Sequence, residues 1–530
     1  MATIVVLITC QRALADAWGS PSGSVEKNFI LVQNIWLLLA GALVFFMNAG
    51  FALLEVGLCR SENSINVLAK NLIVFCVAAI AFWMFGFGLM FGDGLDHPPC
   101  TATFDRDDQK IVSYLGHFSP ATEYNRFGQK SQFILLPKDN PLGFPREGFS
   151  CLQAQFPKRS IASLFFFQLA FAATAATIIS GAVAERIKFW AFFWFSFILV
   201  GFLYPIVGHW VWSKYGWLSQ QLNFIDFAGS TVVHTVGGTA ALAGAMLLRP
   251  RWNRFGYDPQ EDLDSSVPPE LLPEKFKNQN YFTYSSNLTS ATLGCLILWL
   301  GWLGFNGGST TDLEEVGHII VTTIIAAATG GIVAILSTPI TALWSKIFEE
   351  NPETGKPELS SLINGILGGL VGVTASSAYI DVPIAILIGA VSGVIVTLGS
   401  LLLRLWKIDD PVGTIPVHLF CGWWGTVAVF WSLEGTAVYE DNYNVLGQLG
   451  SQILGWFIVF VFVLILSWIV WVFIGVILYS FDMIIGNQRK LSKTGNLLAK
   501  INRIARQGIR VTPKEEIEGS DGFWENPIDT

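Results

Sequence analysis

Two histidines in apolar stretches of the chain are the residues best suited to move a proton. They lie in the same pattern, D-x-x-G-x-x-x-V-H-x-x-x-G, which occurs at residues 226–238 and again at residues 410–422. His234 and His418 occupy the same position in the two copies. Paired imidazoles can share a proton and titrate as a unit, so the repetition favours a functional pair over two packed core histidines. A metal site is not favoured, because no carboxylate or thiolate cluster accompanies them.

An aspartate begins each copy of the pattern. Asp226 and Asp410 both precede an apolar stretch, which is typical of an N-cap that accepts hydrogen bonds from free backbone N–H groups. We therefore predict a structural role for both, and Asp226 can also attract a cation through its field. Trp212 follows the preceding apolar run, at its predicted outer end, where its ring could hold a cation by roughly 1–2 kcal/mol.

The elements that must position these residues are membrane helices. Of 530 residues, 52% are hydrophobic and 14% charged, and the mean hydropathy is +0.51. Many apolar runs are long enough to cross a hydrocarbon core of about 30 Å. We predict an all-α integral membrane protein with eleven transmembrane helices. The predicted spans are residues 33–58, 67–91, 161–184, 189–209, 226–248, 285–305, 316–344, 359–378, 382–404, 412–432 and 449–482.

The distribution of Lys and Arg predicts the orientation of these spans. The short connections on one side carry only Lys214, and basic residues concentrate on the other side, which we therefore predict to be cytoplasmic. The basic set is Arg60, Lys70, Arg186, Lys188, Arg249, Arg251, Arg254, Lys275, Lys277, Lys346, Lys356, Arg404 and Lys407. The two histidine-bearing spans are then antiparallel, as in a transporter of two inverted five-helix repeats plus a final helix. Each histidine follows its aspartate by eight residues, about 12 Å of helix, which places both near the midplane.

The membrane domain is predicted to comprise residues 33–482. Its two long loops and the two ends of the chain permit fewer conclusions. Residues 1–32 form a predicted extracytoplasmic N-terminus with a weak signal-peptide pattern. Cys100 and Cys151 share the outer loop 93–160 and could form a disulfide. The cytoplasmic loop 249–284 has no assigned role. The cytoplasmic tail 483–530 begins basic and turns acidic, so it either rests on lipid headgroups or has a regulatory or inter-subunit role.

Several motifs together resemble the ammonium transporter family (Amt/Mep/Rh). They are AGFALLEVGLCR at 49–60, AVAERIKF at 182–189, DFAG at 226–229, GFNGGS at 304–309 and H-x-x-C-G at 418–422. The resemblance extends over about residues 30–485, and residues 508–519 resemble that family's cytoplasmic tail. Loops 93–160 and 249–284 are longer than is usual in the family.

The resemblance implies a homotrimer in which each subunit has its own pore. Phe171 and Phe305 resemble its stacked phenylalanine gate, with Phe167 beside them. Trp212 and Ser309 resemble its outer ammonium site, and their presence resembles the Amt/Mep branch. The resemblance makes His234 and His418 the twin histidines of the pore and Asp226 the aspartate behind the outer site. P-II-type signalling proteins dock on the cytoplasmic face of relatives and are expected partners here.

The sequence therefore predicts selective ammonium uptake through a multi-pass protein of the cell membrane. No nucleotide-binding or hydrolytic motif occurs, so we predict neither an enzyme nor a cofactor, and no nucleic-acid partner. One alternative is an ammonium sensor that signals through its tail. An ion-coupled amino-acid transporter is another alternative, which the apolar pore residues disfavour; an intramembrane hydrolase lacks a nucleophile.

Overall fold

Helices make up nearly all of the structure. The computed structural model describes residues 24–91, 123–124, 130–131, 161–213, 216–252, 254–256, 286–348, 358–432, 445–485 and 496–525. The two strands within these residues, β1 (Glu123–Tyr124) and β2 (Lys130–Ser131), pair antiparallel. The N-terminal leader, Cys100, Cys151 and most of both long loops lie outside the described residues, so the predictions made for them remain predictions.

The first half of the chain contributes long apolar helices, two of which pass through a π-helical turn. These are α1 (Ser24–Leu58), α2 (Ser64–Ala81) continued by a π-turn (Phe82–Gly86) and α3 (Phe87–Phe91), α4 (Ile161–Val183), α5 (Phe189–Ile198) continued by a π-turn (Leu199–Leu203) and α6 (Tyr204–Trp212), α7 (Trp217–Leu222), and α8 (Val236–Leu248). A further π-turn (Ser230–Thr235) leads directly into α8.

The second half of the chain also contributes apolar helices and ends in a short helical tail. Its helices are α9 (Leu288–Gly307), α10 (Val316–Phe348), α11 (Leu359–Val373), α12 (Val382–Leu405), α13 (Cys421–Ala428), preceded by a π-turn (Ile415–Phe420), α14 (Val445–Ile484), α15 (Leu497–Ile509), α16 (Pro513–Glu518) and α17 (Gly522–Glu525). Single 3-10 turns lie at Ser61–Asn63, Arg254–Gly256 and Val429–Trp431.

Nine helices of the described residues are long and apolar enough to cross a membrane, and two shorter apolar ones accompany them. The shorter pair, Leu359–Val373 and Ile415–Trp431, matches the predicted eighth and tenth spans. Fifteen residues of helix extend about 22 Å, less than a hydrocarbon core of about 30 Å. The nine long apolar helices confirm the predicted helical membrane architecture. Because the two remaining helices are short, the count of eleven crossings remains a prediction.

Glycines bring the first helices of the two halves into backbone contact. A Cβ on Gly57 of α1 would lie 2.4 Å from the backbone N of Ala291 in α9, and one on Gly294 of α9 would lie 2.6 Å from the carbonyl oxygen of Gly50. Close approach of this kind is what small residues permit between helices in lipid, where dispersion replaces the hydrophobic effect as the packing force.

The C-terminal tail docks on one end of the bundle, which we call the tail face. A Cβ on Gly508 of α15 would lie 1.8 Å from the carbonyl oxygen of Gly475 in α14, so this glycine permits the contact. Arg510 donates to the carbonyl oxygens of Leu248 and Pro250 and pairs with Glu516 at 2.8 Å. This arginine of the basic segment therefore binds protein rather than lipid headgroups.

Buried ion pairs also join the connections at the tail face. Glu185 contacts Arg60 at 2.7 Å and Arg251 at 3.3 Å, and Arg251 contacts Asp409 at 2.8 Å. Burial raises the pKa of both carboxyl groups, but the arginines outweigh burial and hold each pKa below its usual value. The basic residues used to predict orientation are thus partly structural, and Lys70 lies inside α2 rather than in a connection.

Candidate functional site

The two histidines meet inside the bundle. His234 Nδ1 lies 3.1 Å from His418 Nδ1, and the rings are nearly parallel at a centroid distance of 5.2 Å. Both side chains are buried, with His234 fully so. A hydrogen bond at this distance lets one imidazole donate and the other accept, so the pair can share a single proton.

The repeated sequence pattern produces the same turn twice. Gly229 and Gly413 both have positive φ values, of 114° and 83°, which only glycine adopts readily. Asp226 accepts hydrogen bonds from the N–H groups of Gly229 and Thr231, and Asp410 accepts from those of Gly413 and Ile415. Each aspartate therefore binds the N–H groups three and five residues later, and the carboxylates start the two π-turns that carry the histidines.

The last glycine of each copy packs against the other copy. A Cβ on Gly238 would lie 2.6 Å from the backbone N of Leu419, and one on Gly422 would lie 2.7 Å from the carbonyl oxygen of Ser230. These contacts join the two π-turns at their backbones. The close approach explains how two short imidazole side chains come within hydrogen-bonding distance.

Aromatic rings extend from the histidine pair toward the end of the bundle opposite the tail face. Phe305 lies 5.6 Å from His234 and stacks on Phe171 at a centroid distance of 3.9 Å. Phe171 in turn contacts Phe167 at 4.5 Å and the ring of Trp212 at 6.1 Å. We call this set of rings the aromatic column; its two stacked phenylalanines are buried and separate Trp212 from the histidines.

Trp212 and Ser309 each contact one of the two stacked phenylalanines. Trp212 is the last residue of α6, not a residue after that helix as the sequence predicted, and its Nε1 donates to the Asp226 carbonyl oxygen at 2.6 Å. Ser309 follows α9, and its hydroxyl donates to the carbonyl oxygen of Phe305 at 2.9 Å. Both side chains are half-buried, whereas Phe171 and Phe305 are buried.

Two aromatic residues beside the histidines were missed by sequence reasoning. Trp302 stacks on His234 at 5.0 Å and donates through Nε1 to the hydroxyl of Thr374. Phe51 lies 6.1 Å from His418 on the other side of the pair. Trp302 precedes Phe305 by three residues, so helical spacing alone could have placed it on the same face of α9.

Below His418, toward the tail face, lies a narrow cavity. Its lining includes Phe51, Glu55, Thr177 and Asn364 together with His418. The centre of a water molecule could move within a volume of about 10 Å³ in this cavity. That volume is about what one water molecule needs. The aromatic column, the histidine pair and this cavity form one continuous series across the bundle.

Taken together, the fold and site define a multi-pass membrane protein with a buried, mostly apolar path that contains a histidine pair. The profile described as the Ammonium Transporter Family matches residues 35–481. The chain belongs to this family, as its motifs predicted.

Individual relatives agree with this assignment. The chain is 36% identical over 440 residues to ammonium transporter Amt2 of Archaeoglobus fulgidus, covering 81% of this chain and 77% of the relative. It is 38% identical to a putative ammonium transporter of Synechocystis, covering 82% and 80% respectively.

Solved structures show the same fold. The structure of a sensor Amt protein has a TM-score of 0.65 and 30% identity, covering 94% of this chain and 99% of that one. Mep2 of Candida albicans has a TM-score of 0.60 at 24% identity, covering 87% of this chain and 86% of that one; at this identity it supports the fold alone.

Proposed function

We propose that this protein carries ammonium across the membrane by separating the ion from its charge. The observation that supports this most is the continuous series from Trp212 through the stacked Phe171 and Phe305 to His234 and His418. The ion pauses at Trp212 and Ser309, where an aromatic face and a hydroxyl replace water. It loses a proton near the stacked rings, and ammonia continues alone.

Deprotonation is favoured because a charge is costly in an apolar path. An ion in such surroundings costs several kcal/mol or more, whereas a neutral molecule with hydrogen-bonding partners costs far less. Among the described residues, His234 Nε2 has no hydrogen-bond partner, so it can bind a passing ammonia. Potassium has no proton to lose, which makes the path selective. The proton either remains outside or travels along the histidine pair.

The surrounding architecture is part of this proposal. All eleven apolar helices cross the bilayer of the cell membrane as two inverted repeats plus a final helix, and three subunits assemble, each with its own pore. The tail face is cytoplasmic, and a P-II-type signalling protein docks there. Asp226 and Asp410 hold the two π-turns, and the field of Asp226 also attracts the incoming cation.

An ammonium sensor is the second candidate function. It is favoured by the 30% identity to a sensor Amt protein over 94% of this chain and by the ordered docking of Arg510 at the tail face. A sensor binds ammonium without carrying it, so the two functions differ in flux.

Transport is tested with the purified protein in liposomes. We expect a transient current after a jump in ammonium concentration and none after an equal potassium jump. An internal pH dye is read at the same time, because entry of ammonia alone makes the lumen alkaline. Neither current nor alkalinisation beyond that of empty liposomes would contradict transport and favour the sensor.

A further inference from the structure

Two ionisable side chains, one acidic and one basic, lie inside the apolar bundle and have no part in the steps described so far. Glu55 of α1 is 1% exposed and Lys70 of α2 is fully buried. Ionisable side chains among membrane helices are costly, and they usually face a path or a partner. The position of this pair near the tail face therefore needs an explanation.

Glu55 and Lys70 do not form a closed ion pair. The Glu55 carboxyl accepts a hydrogen bond from the hydroxyl of Ser180 at 2.8 Å through Oε2. In the described part of the chain, neither its Oε1 nor the Nζ of Lys70 makes a further hydrogen bond of normal geometry, although the Asn71 side chain lies beside the Glu55 carboxyl group. Lys70 Nζ lies 5.8 Å from the ring of Phe192. Each group thus keeps bonding capacity that a purely structural ion pair would use.

Glu55 faces the conduction path, whereas Lys70 does not. Glu55 lines the narrow cavity below His418, and Lys70 is not among the residues of that lining. The cavity has room for about one small molecule, and ammonia is close to water in size. A molecule that leaves the histidine pair toward the tail face therefore meets the Glu55 side chain next.

We propose that Glu55 returns the proton to ammonia at the tail-face end of the pore. This step rests on the proposed transport and on passage of the proton through the histidine pair. The Glu55 carboxylate takes that proton on Oε1; ammonia then accepts it through its lone pair, as the O–H bond breaks and an N–H bond forms. Ammonium leaves toward the tail face, and the carboxylate is ready for the next proton.

Lys70 is a positioning residue in this step. Its positive charge behind the cavity compensates the carboxylate after each transfer, which lets Glu55 alternate between its two protonation states inside the bundle. The titratable groups around Glu55 include Lys70 on α2, Cys59 on its own helix and His418 across the cavity.

The test compares wild type with Glu55→Gln in liposomes, reading current and internal pH together. Wild type should give an ammonium current with little alkalinisation, because proton and ammonia arrive together. In Glu55→Gln we expect the current to fall about tenfold or more, while the lumen now becomes alkaline faster than in empty liposomes. Glu55→Asp, which keeps a carboxyl group, should retain a measurable current.

A lone buried lysine could prevent Glu55→Gln from folding, so Glu55→Gln/Lys70→Met, which removes both charges, is measured in parallel with the same expected result. Wild-type current in either variant would overturn the inference and leave transport intact. Loss of both current and alkalinisation would also overturn it, because a proton donor is not needed for ammonia to pass. Alkalinisation without current in the wild type would exclude it as well, whereas absence of both signals in the wild type contradicts transport itself.

Discussion

At the scale of residues, the histidine pair lies between two aromatic rings. His234 is stacked against Trp302 at 5.0 Å, and His418 lies beside Phe51 at 6.1 Å. The two Nδ1 atoms face each other at 3.1 Å. The two aromatic rings therefore hold the imidazoles in place on either side of their shared hydrogen bond.

Replacing one histidine tests the proton route. His234→Ala removes one half of the shared hydrogen bond, so we expect the ammonium current to fall about tenfold, equivalent to about 1.4 kcal/mol, or potassium to pass as well. The protein should still fold, because the aromatic rings around the site remain. The measurement is the current in liposomes with ammonium and with potassium.

His318→Ala is the matched control for this change. His318 is exposed, and its Nε2 contacts the carbonyl oxygen of Ile380 away from the column. It should leave the current and selectivity unchanged. Wild-type current and wild-type selectivity in His234→Ala would show that the proton does not use the pair.

At the scale of elements, the π-turns before α8 and α13 are the distinctive features. The N–H groups of Val233 and His234 both bond to the carbonyl oxygen of Gly229 at 3.0 Å, so the backbone widens at the histidine. Such turns are rare and frequently occur at functional sites. Asp226 holds this turn through three backbone N–H groups, those of Gly229, Thr231 and Val232.

Removing that carboxylate should disrupt the turn. Asp226→Ala leaves three buried N–H groups without their acceptor, at a cost of about 1–3 kcal/mol each. We expect a lower Tm in detergent and loss of current or of subunit assembly, measured by thermal unfolding, size-exclusion chromatography and the liposome assay. Full activity and assembly would reduce Asp226 to a dispensable cap.

An ordinary N-cap provides the comparison. Asp381 caps α12 and accepts one hydrogen bond, from the N–H of Ile384. Asp381→Ala should cost about 1 kcal/mol and keep the ammonium current. An equal loss of current in both variants would mean that helix capping, and not the histidine-bearing turn, determines activity.

At the scale of the whole molecule, the tail face joins distant parts of the chain by charge. Burial raises the pKa of Glu185 and of Asp409, but Arg251, with Arg60 at Glu185 and Arg186 at Asp409, holds each pKa below its usual value. A carboxyl whose folded pKa is depressed adds stability above its unfolded pKa and loses it as pH falls through the folded pKa. These residues are far apart in the sequence, so the ion pairs between them can form only after the helices have packed into the bundle.

Acid should therefore destabilise this face. We expect the Tm of the detergent-solubilised protein to fall below about pH 4, the ordinary range of a carboxyl pKa. Asp409→Asn should lower stability at neutral pH by about 3–5 kcal/mol, because Arg251 loses a buried partner, and should make the acid slope shallower. Thermal unfolding as a function of pH measures both effects.

Lys514→Gln is the control, since Lys514 forms an exposed pair with Glu518, with side chains 81% and 64% exposed. It should leave the Tm and its pH dependence unchanged. A pH profile of Asp409→Asn that matches wild type would rule out the buried cluster as the source of the acid sensitivity.

The sequence alone predicted the helical membrane bundle, the histidine pair and the family of this protein. The alternation of apolar stretches and polar connections predicted the helical membrane bundle, since spans must satisfy their own backbone hydrogen bonds in lipid. The repeated pattern singled out His234 and His418. The positive φ values of Gly229 and Gly413 explain why glycine occupies the same position in both copies. The motifs at residues 49–60, 182–189 and 304–309 predicted the family to which the chain belongs.

Only the tertiary structure decided what these residues face. Glu55 and Lys70 lie on different helices, and no periodicity in either helix indicates that one borders a cavity with His418 while the other does not. Likewise, Trp302 contacts His234 because glycines allow helices that are far apart in the sequence to pack closely. Sequence patterns determine which face of a helix is apolar, but the neighbour of each side chain is set by the packing of whole helices.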